Sequence, residues 1–222
     1  LFCAGRNISA THAALSSTRV MGTCSIIGQA VGTAAAIAAR DGLSPRGVYE
    51  QRLGELQQTL MDDDCYLPWQ QREIPDTAKR ARLTASAGDP APLRNGIDRP
   101  VGKADNGWTG ACGSWIEYAF DRPTPLREAR LVFDSDLNRP LIGMRTNYPL
   151  DQEPQVSSAT LVRVFRLDAQ ISGGAWHTVA RVPHNHQRLV RVPLSVTTGA
   201  IRLVLESTHG SPLAHLFAWD VR

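Results

Sequence analysis

Gly22-Thr23 stands at the head of VMGTCSIIGQAVGTAAAIAA, a stretch from Val20 to Ala39 that carries no charge. Read as a helix, its first turn leaves backbone N–H groups without intrahelical partners, backed by the positive end of the helix dipole. Such an end suits an anionic or electron-rich group. Upstream, Gly5-Arg6-Asn7 makes a turn directly after the apolar run LFCA (1–4), which reads as a strand. A strand, a glycine turn and a free helix N-terminus are the layout of a ligand site. A helix slimmed only for close packing explains the same residues about as well. No Gly-Lys-Ser/Thr follows the glycines, so this is not a phosphate-cradling Walker loop.

Other side chains have chemistry of their own. His184-Asn185-His186 offers two imidazoles in a turn but brings no third ligand, so no zinc is assigned. Trp108 and Trp176 have rings that can stack on a sugar, although aromatic residues of β-sandwiches usually belong to the core. The oxygen-bearing side chains between Asn95 and Asp105 are accounted for by turn chemistry as well as by calcium ligation, and no metal is assigned. Cys3, Cys24, Cys65 and Cys112 form no CxxC pair, leave three disulfide pairings open, and read more simply as scattered thiols.

These residues sit in a chain of ordinary globular composition, 222 residues with 42% hydrophobic and 20% charged side chains. Net charge is +3, with 21 acidic residues among 24 basic ones. No like-charge block exceeds Asp62-Asp63-Asp64, so nothing resembles a nucleic-acid footprint. The opening LFCAGRNISATH shows neither an initiator Met nor a targeting segment, and is expected to be cut from something longer. The compartment, cytoplasmic or exported, stays open. The uncharged stretch has the length of a bilayer span and a GxxxG pair at Gly28 and Gly32. Alanine, glycine and polar residues outnumber its strongly apolar ones, however, so a membrane span is not expected.

The elements divide near residue 80. Gly22 to Arg40 reads as a small-residue helix closed by Gly42. Ser44-Pro45 starts a second, with Tyr49, Leu53, Leu56 and Leu60 on one face. Residues 62–79 contain two prolines and little periodicity, the mark of a linker. Beyond residue 80 the period becomes two, with strands expected at 114–120, 127–134, 159–167, 176–182, 187–194 and 200–206. Turns such as Asn95-Gly96 and Gly173-Gly174 separate the runs, the pattern of an antiparallel β-sandwich. The expected domains are 1–65, a linker at 66–80, and 81–222.

The segment LFCAGRNISATHAALSSTRVMGTCSIIGQAVGTAAAIAA, with DDDCYLP after the second helix, resembles the C-terminal end of the flavin domain in FAD-dependent oxidoreductases of glutathione-reductase-like fold. The resemblance implies FAD as cofactor, with Gly5, Arg6 and Asn7 closing the last strand beside its ribityl-pyrophosphate region. It implies that Gly22 and Thr23 open a helix facing the flavin, able to stabilise negative charge on the reduced ring. Gly28 and Gln29, with Gly32 and Thr33, would belong to a close-packed helix face. His12 would move a proton and Arg19 would hold an anionic group, with a loop histidine and an intradomain salt bridge as the plainer alternatives. The GxGxxG fingerprint of such domains is absent, so this stretch alone is not expected to hold FAD tightly; the remainder of the flavin domain is the implied partner.

From about residue 82, LRNGIDRP, Trp108, GSWIEYAFDRPTPLREARLVFDSDL and RLVRVPLSVTTGAIRLVLESTHG resemble a galactose-binding-like (discoidin-type) jelly-roll. That resemblance implies glycan binding or a bracing role. The fold class expected for the whole is α+β: the helical tail of an FAD-binding α/β domain followed by an antiparallel β-sandwich. The expected function is the C-terminal portion of an FAD-dependent oxidoreductase acting on a small molecule or carbohydrate. The alternative is a non-catalytic carbohydrate-binding or scaffolding module.

Overall fold

The computed structural model describes residues 1–136, 157–171 and 174–222, and divides into two compact units, Leu1–Arg72 and Glu73–Arg222. The expected Gly173-Gly174 turn falls partly outside the described residues.

The first unit is helical: α1 (His12–Thr18), α2 (Met21–Asp41) and α3 (Pro45–Asp62). The expected cap chemistry is present. Gly42 adopts φ 65° and its N–H donates to the Ala38 carbonyl. Ser44 Oγ accepts from the Gly47 N–H at 3.0 Å, with Pro45 opening α3. α2 and α3 pack together over buried Ala34, Ile37, Ala38 and Val48, with Phe2, Leu43 and Leu56 around them. Residues 1–4 form no strand, because a strand needs a ladder partner and no described residue supplies one. The expected apolar face of α3 is only half used. Leu60 is buried, while Tyr49 and Leu53 are exposed.

The opposite face of α2 is uncovered. Gly22, Ser25, Gln29, Gly32 and Ala36 recur at helical spacing and are all exposed, and Met21 beside them is 89% exposed. A Cβ built on Gly22, Gly28 or Gly32 would meet nothing within 4 Å. The close packing expected around Gly28 and Gly32 is therefore not made among the described residues. Among the described residues α2 is the one helix long and apolar enough to cross a membrane by length and composition.

The second unit is an antiparallel β-sandwich built from two long bent strands, β3 (Trp115–Phe133) and β6 (Leu189–Thr208). The first half of β3 lies between β1 (Arg82–Ala85) and the second half of β6, which pairs onward to β4 (Val162–Gln170) and β5 (Trp176–Val182). The second half of β3 pairs with the first half of β6 and with β7 (Leu213–Val221), which carries β2 (Trp108–Ala111) on its other edge. A straight strand would hold Tyr118 roughly 40 Å from Leu131. Instead the Tyr118 ring lies 4.7 Å from Trp219, the β7 partner of Leu131. Its hydroxyl donates to the Trp219 carbonyl at 2.8 Å. The register shift between Ala119 and Thr124 marks the corner at which the sheet turns back on itself. Between the layers lie Ile116, Leu131, Phe133, Phe165, Leu203 and Trp219, each no more than 1% exposed.

Two further pieces complete the unit. A short helix, α4 (Asp76–Arg80), occupies the stretch read as linker and sends Ala78, fully buried, into the sandwich core. Residues 95–107 are fastened to the outer face of the second layer. There the buried guanidinium of Arg130 stands between Asp98, at 3.0 Å, and Asp220, at 3.6 Å. Trp108 is 2% exposed, and its indole N–H donates to the Ala87 carbonyl at 2.7 Å, which makes it a core residue rather than a sugar platform. A Cβ on Gly110 would run into the Trp108 ring. Gly110→Ala is therefore expected to destabilise the unit by about 1–3 kcal/mol, read as a lowered denaturant midpoint.

Candidate functional site

The junction of α1 and α2 gathers donors that lack acceptors. α1 and α3 each begin on a hydroxyl cap, from Thr11 and Ser44. α2 begins on Val20 with no side-chain cap and no carboxylate in its first turn. A valine cannot accept from the free amides of Met21, Gly22 and Thr23, so that end stays electropositive. The first turn is held against α1 by Thr23, whose hydroxyl donates to the Ser17 carbonyl at 2.9 Å, and by Cys24, 3.8 Å from the Thr18 carbonyl. Arg19, the residue between the helices, has a buried Nε with no hydrogen-bond partner and no ion pair among the described residues. The intradomain salt bridge offered as its plainer role is not formed here.

Arg19, Gly22 and Thr23 are thus together. His12 is exposed at the far end of α1, roughly 9 Å along the helix from Thr18. Gly5 takes φ 101°, a left-handed conformation that favours glycine, and its carbonyl accepts from the Ile8 N–H at 3.2 Å. Arg6 and Asn7 are exposed in that turn. Gln29 is exposed on the open stripe of α2, where the Thr33 hydroxyl donates to its carbonyl at 2.9 Å. Gly28 lies on the flank of that stripe.

In the sandwich the candidates separate by role. Trp176 is engaged with the protein itself: the Arg202 guanidinium lies 4.2 Å from its ring and 4.1 Å from that of Trp115, and pairs with Glu117 at 2.8 Å. Asn185 is buried and structural, its amide donating to the Val162 and Gln187 carbonyls, both at 2.9 Å. His186 reaches Ser157 Oγ at 3.2 Å and stacks at 5.0 Å on His209, while His184 is exposed. No cluster of three metal-ligating side chains occurs among the described residues. The four cysteines are free thiols.

Two further features were not expected from the sequence. A groove of about 520 Å³ lies between α4 and the β3 corner, lined by Phe120, Arg80, Arg122, Asp76 and Asp121. His215 on β7 is held between Asp134 and Asp105. Both are assembled from residues far apart in the chain, and no local spacing announces them.

Residues 1–60 match the family model described as FAD dependent oxidoreductase. Among solved structures, the chain is similar to the family 32 carbohydrate-binding module of Streptococcus pneumoniae EndoD. The two are 13% identical with a TM-score of 0.48, over 68% of this chain and 97% of that one. It is also similar to the family 32 module of C. perfringens NanJ in complex with galactose (10% identity, TM-score 0.45, 65% of this chain and 95% of that one). Chitosan-binding module 1 from the chitosanase/glucanase of Paenibacillus sp. IK-5 is a third such structure (14% identity, TM-score 0.44, 67% and 98%). No curated protein matches the chain. Residues 1–60 thus match the family model for FAD dependent oxidoreductases, and Glu73–Arg222 form an antiparallel β-sandwich.

Proposed function

We propose that the first unit is the C-terminal segment of an FAD-binding domain, and that α2 forms part of the wall against which the flavin lies. The carrying observation is the set of unanswered donors at the head of α2. Uncapped amides and the buried orphan Nε of Arg19 stand together beside a stripe of small residues. That set fits FAD, whose phosphates and reduced ring are electron-rich. When bound, FAD supplies the hydride-accepting chemistry of the parent oxidoreductase. The chain contributes the rest. The first-turn amides of α2 favour negative charge placed before them, and Arg19 anchors an anionic group. Gly22, Ser25 and Gly32 let a partner approach the backbone closely, which also excludes water from that face. His12, exposed at the start of α1, is available to carry a proton. The remainder of the flavin domain completes the site, and the sandwich is an accessory module. The test is the flavin content of the complete polypeptide: bound FAD supports the reading, and a colourless protein refutes it.

The groove beside Phe120 favours a second, compatible role. An aromatic residue, guanidinium groups and carboxylates lining one groove are the chemistry that can hold a neutral saccharide, through apolar contact and paired donors and acceptors. Glycan-array binding should then be lost on Arg122→Ala, at an exposed side chain of the groove, while thermal stability stays within about 1 kcal/mol. Binding that survives this substitution would place any glycan elsewhere.

A further inference from the structure

Residues 95–107 lie over the outer face of the second layer and are tied down at two places of different chemistry. At one end Asp98 pairs with fully buried Arg130. The guanidinium of Arg188 donates to the backbone carbonyl of Asp98 as well. At the other end Asp105 Oδ2 lies 3.1 Å from His215 Nε2, while His215 Nδ1 lies 3.0 Å from Asp134 Oδ2. Beneath them Phe217, 1% exposed, is flanked by the His215 ring at 4.6 Å and the Arg188 guanidinium at 5.1 Å. The strap comes this close because position 107 is glycine; a Cβ there would run into His215 Nε2.

We infer that Asp134–His215–Asp105 is an acid-strengthened latch that holds the Asp105 end of this strap closed, while the ion pair of Asp98 with Arg130 ties down the other end. Both ring nitrogens of His215 face carboxylates, an arrangement that only the doubly protonated imidazolium satisfies by donating twice. A neutral imidazole has one N–H. Asp134, with a side chain 19% exposed, loses more if left without a donor than Asp105 at 59%. Deprotonation therefore keeps the Asp134 bond, turns a lone pair toward Asp105 and releases that end of the strap.

The charged groups facing His215 from the described elements are Asp105 on the strap and Asp134 at the end of β3, with Arg188 of the turn before β6 acting on Asp134. Burial alone would lower the pKa of His215, but the bond to Asp134 and the charges of Asp105 and Asp134 raise it above its ordinary 6.5. Burial would likewise raise that of Asp134. The bonds from His215 and the Asp136 amide, with the charges of His215 and Arg188, bring it below its ordinary 3.8 instead. The imidazolium's contribution is complete below 6.5 and is lost as pH rises through the raised value. The Asp134 contribution is complete above 3.8 and is lost as pH falls through the lowered one. The latch is thus fully closed between those limits and opens on the alkaline side.

The test is amide hydrogen exchange of residues 99–106 in the full chain, corrected for intrinsic rates, at about pH 5.5 and about pH 8.5. Protection should fall by about threefold at the higher pH, the size expected for one half-exposed ion pair. Asp105→Asn, a substitution at an exposed side chain, should show the lower protection at both pH values. It should also lower the titration midpoint of the His215 ring read by NMR. Equal protection of the unaltered chain at the two pH values overturns the latch, as does an unchanged His215 midpoint in Asp105→Asn.

Discussion

Gly22→Leu in the complete polypeptide is expected to weaken flavin binding, so that the protein is recovered with less than one equivalent of flavin, while leaving the fold of residues 1–72 intact. No described atom lies within 4 Å of a Cβ at this position, and leucine is a better helix former than glycine. The substitution therefore costs nothing within the chain as it stands. Its cost appears only if another surface lies against the stripe. Inserting a side chain into a packed contact costs about 1–3 kcal/mol, which weakens flavin affinity by roughly 5- to 150-fold. Gly54→Leu is the matched control. It too meets nothing within 4 Å, but it lies on exposed α3, away from the donors at the head of α2. Visible absorbance after gel filtration, with helicity by circular dichroism, separates lost cofactor from lost fold.

The second large effect falls on the sandwich. Arg130→Ala should destabilise it by about 3–5 kcal/mol, because Asp220, 1% exposed, would lose the guanidinium that lies 3.6 Å from its carboxylate. The strap would lose its Asp98 anchor in the same step. Replacing the pair together, Arg130→Met with Asp220→Leu, removes those two charges and should recover part of that loss in denaturant unfolding, the Asp98 carboxylate still losing its contact with Arg130. Equal destabilisation by the single and double substitutions would show that packing of the long arginine side chain, rather than charge, holds this face.

The positions of the turns and caps were legible in the sequence because each rests on one local rule. Gly42, Ser44-Pro45 and Asn95-Gly96 behave as their residue types require, and Asn95 Oδ1 accepts from the Ile97 N–H at 2.7 Å. Six expected strands became four of the observed ones, since β3 and β6 run through corners that read as breaks. β1 and β2 were missed because each has only four residues. β7 was missed for a different reason. Its outer face is buried beneath other elements, so LAHLFAWDV lacks the alternation of a half-wet strand. α1 was missed as a short run rich in serine and threonine.

At the candidate site the sequence pointed to Gly22 and Thr23 through an uncharged helix start. It could not show that Val20 leaves that start uncapped or that the Nε of Arg19 is buried without an acceptor. Those are facts of three-dimensional surroundings. The same holds for Arg202 between Trp115 and Trp176, brought together by strand pairing alone. Trp108 could be read from sequence as a sugar platform or, more commonly for a sandwich, as core; it is core, with its indole N–H bonded to the Ala87 carbonyl.

The proposed function requires that the bare stripe of α2 and the donors at its head be completed by FAD and the remainder of its domain. The most direct measurement is a visible spectrum of the complete polypeptide as purified, followed by identification of whatever is released on denaturation. The proposed function predicts a flavin spectrum and one equivalent of released FAD per chain. A colourless protein that releases no flavin, and gains none when incubated with FAD, contradicts it.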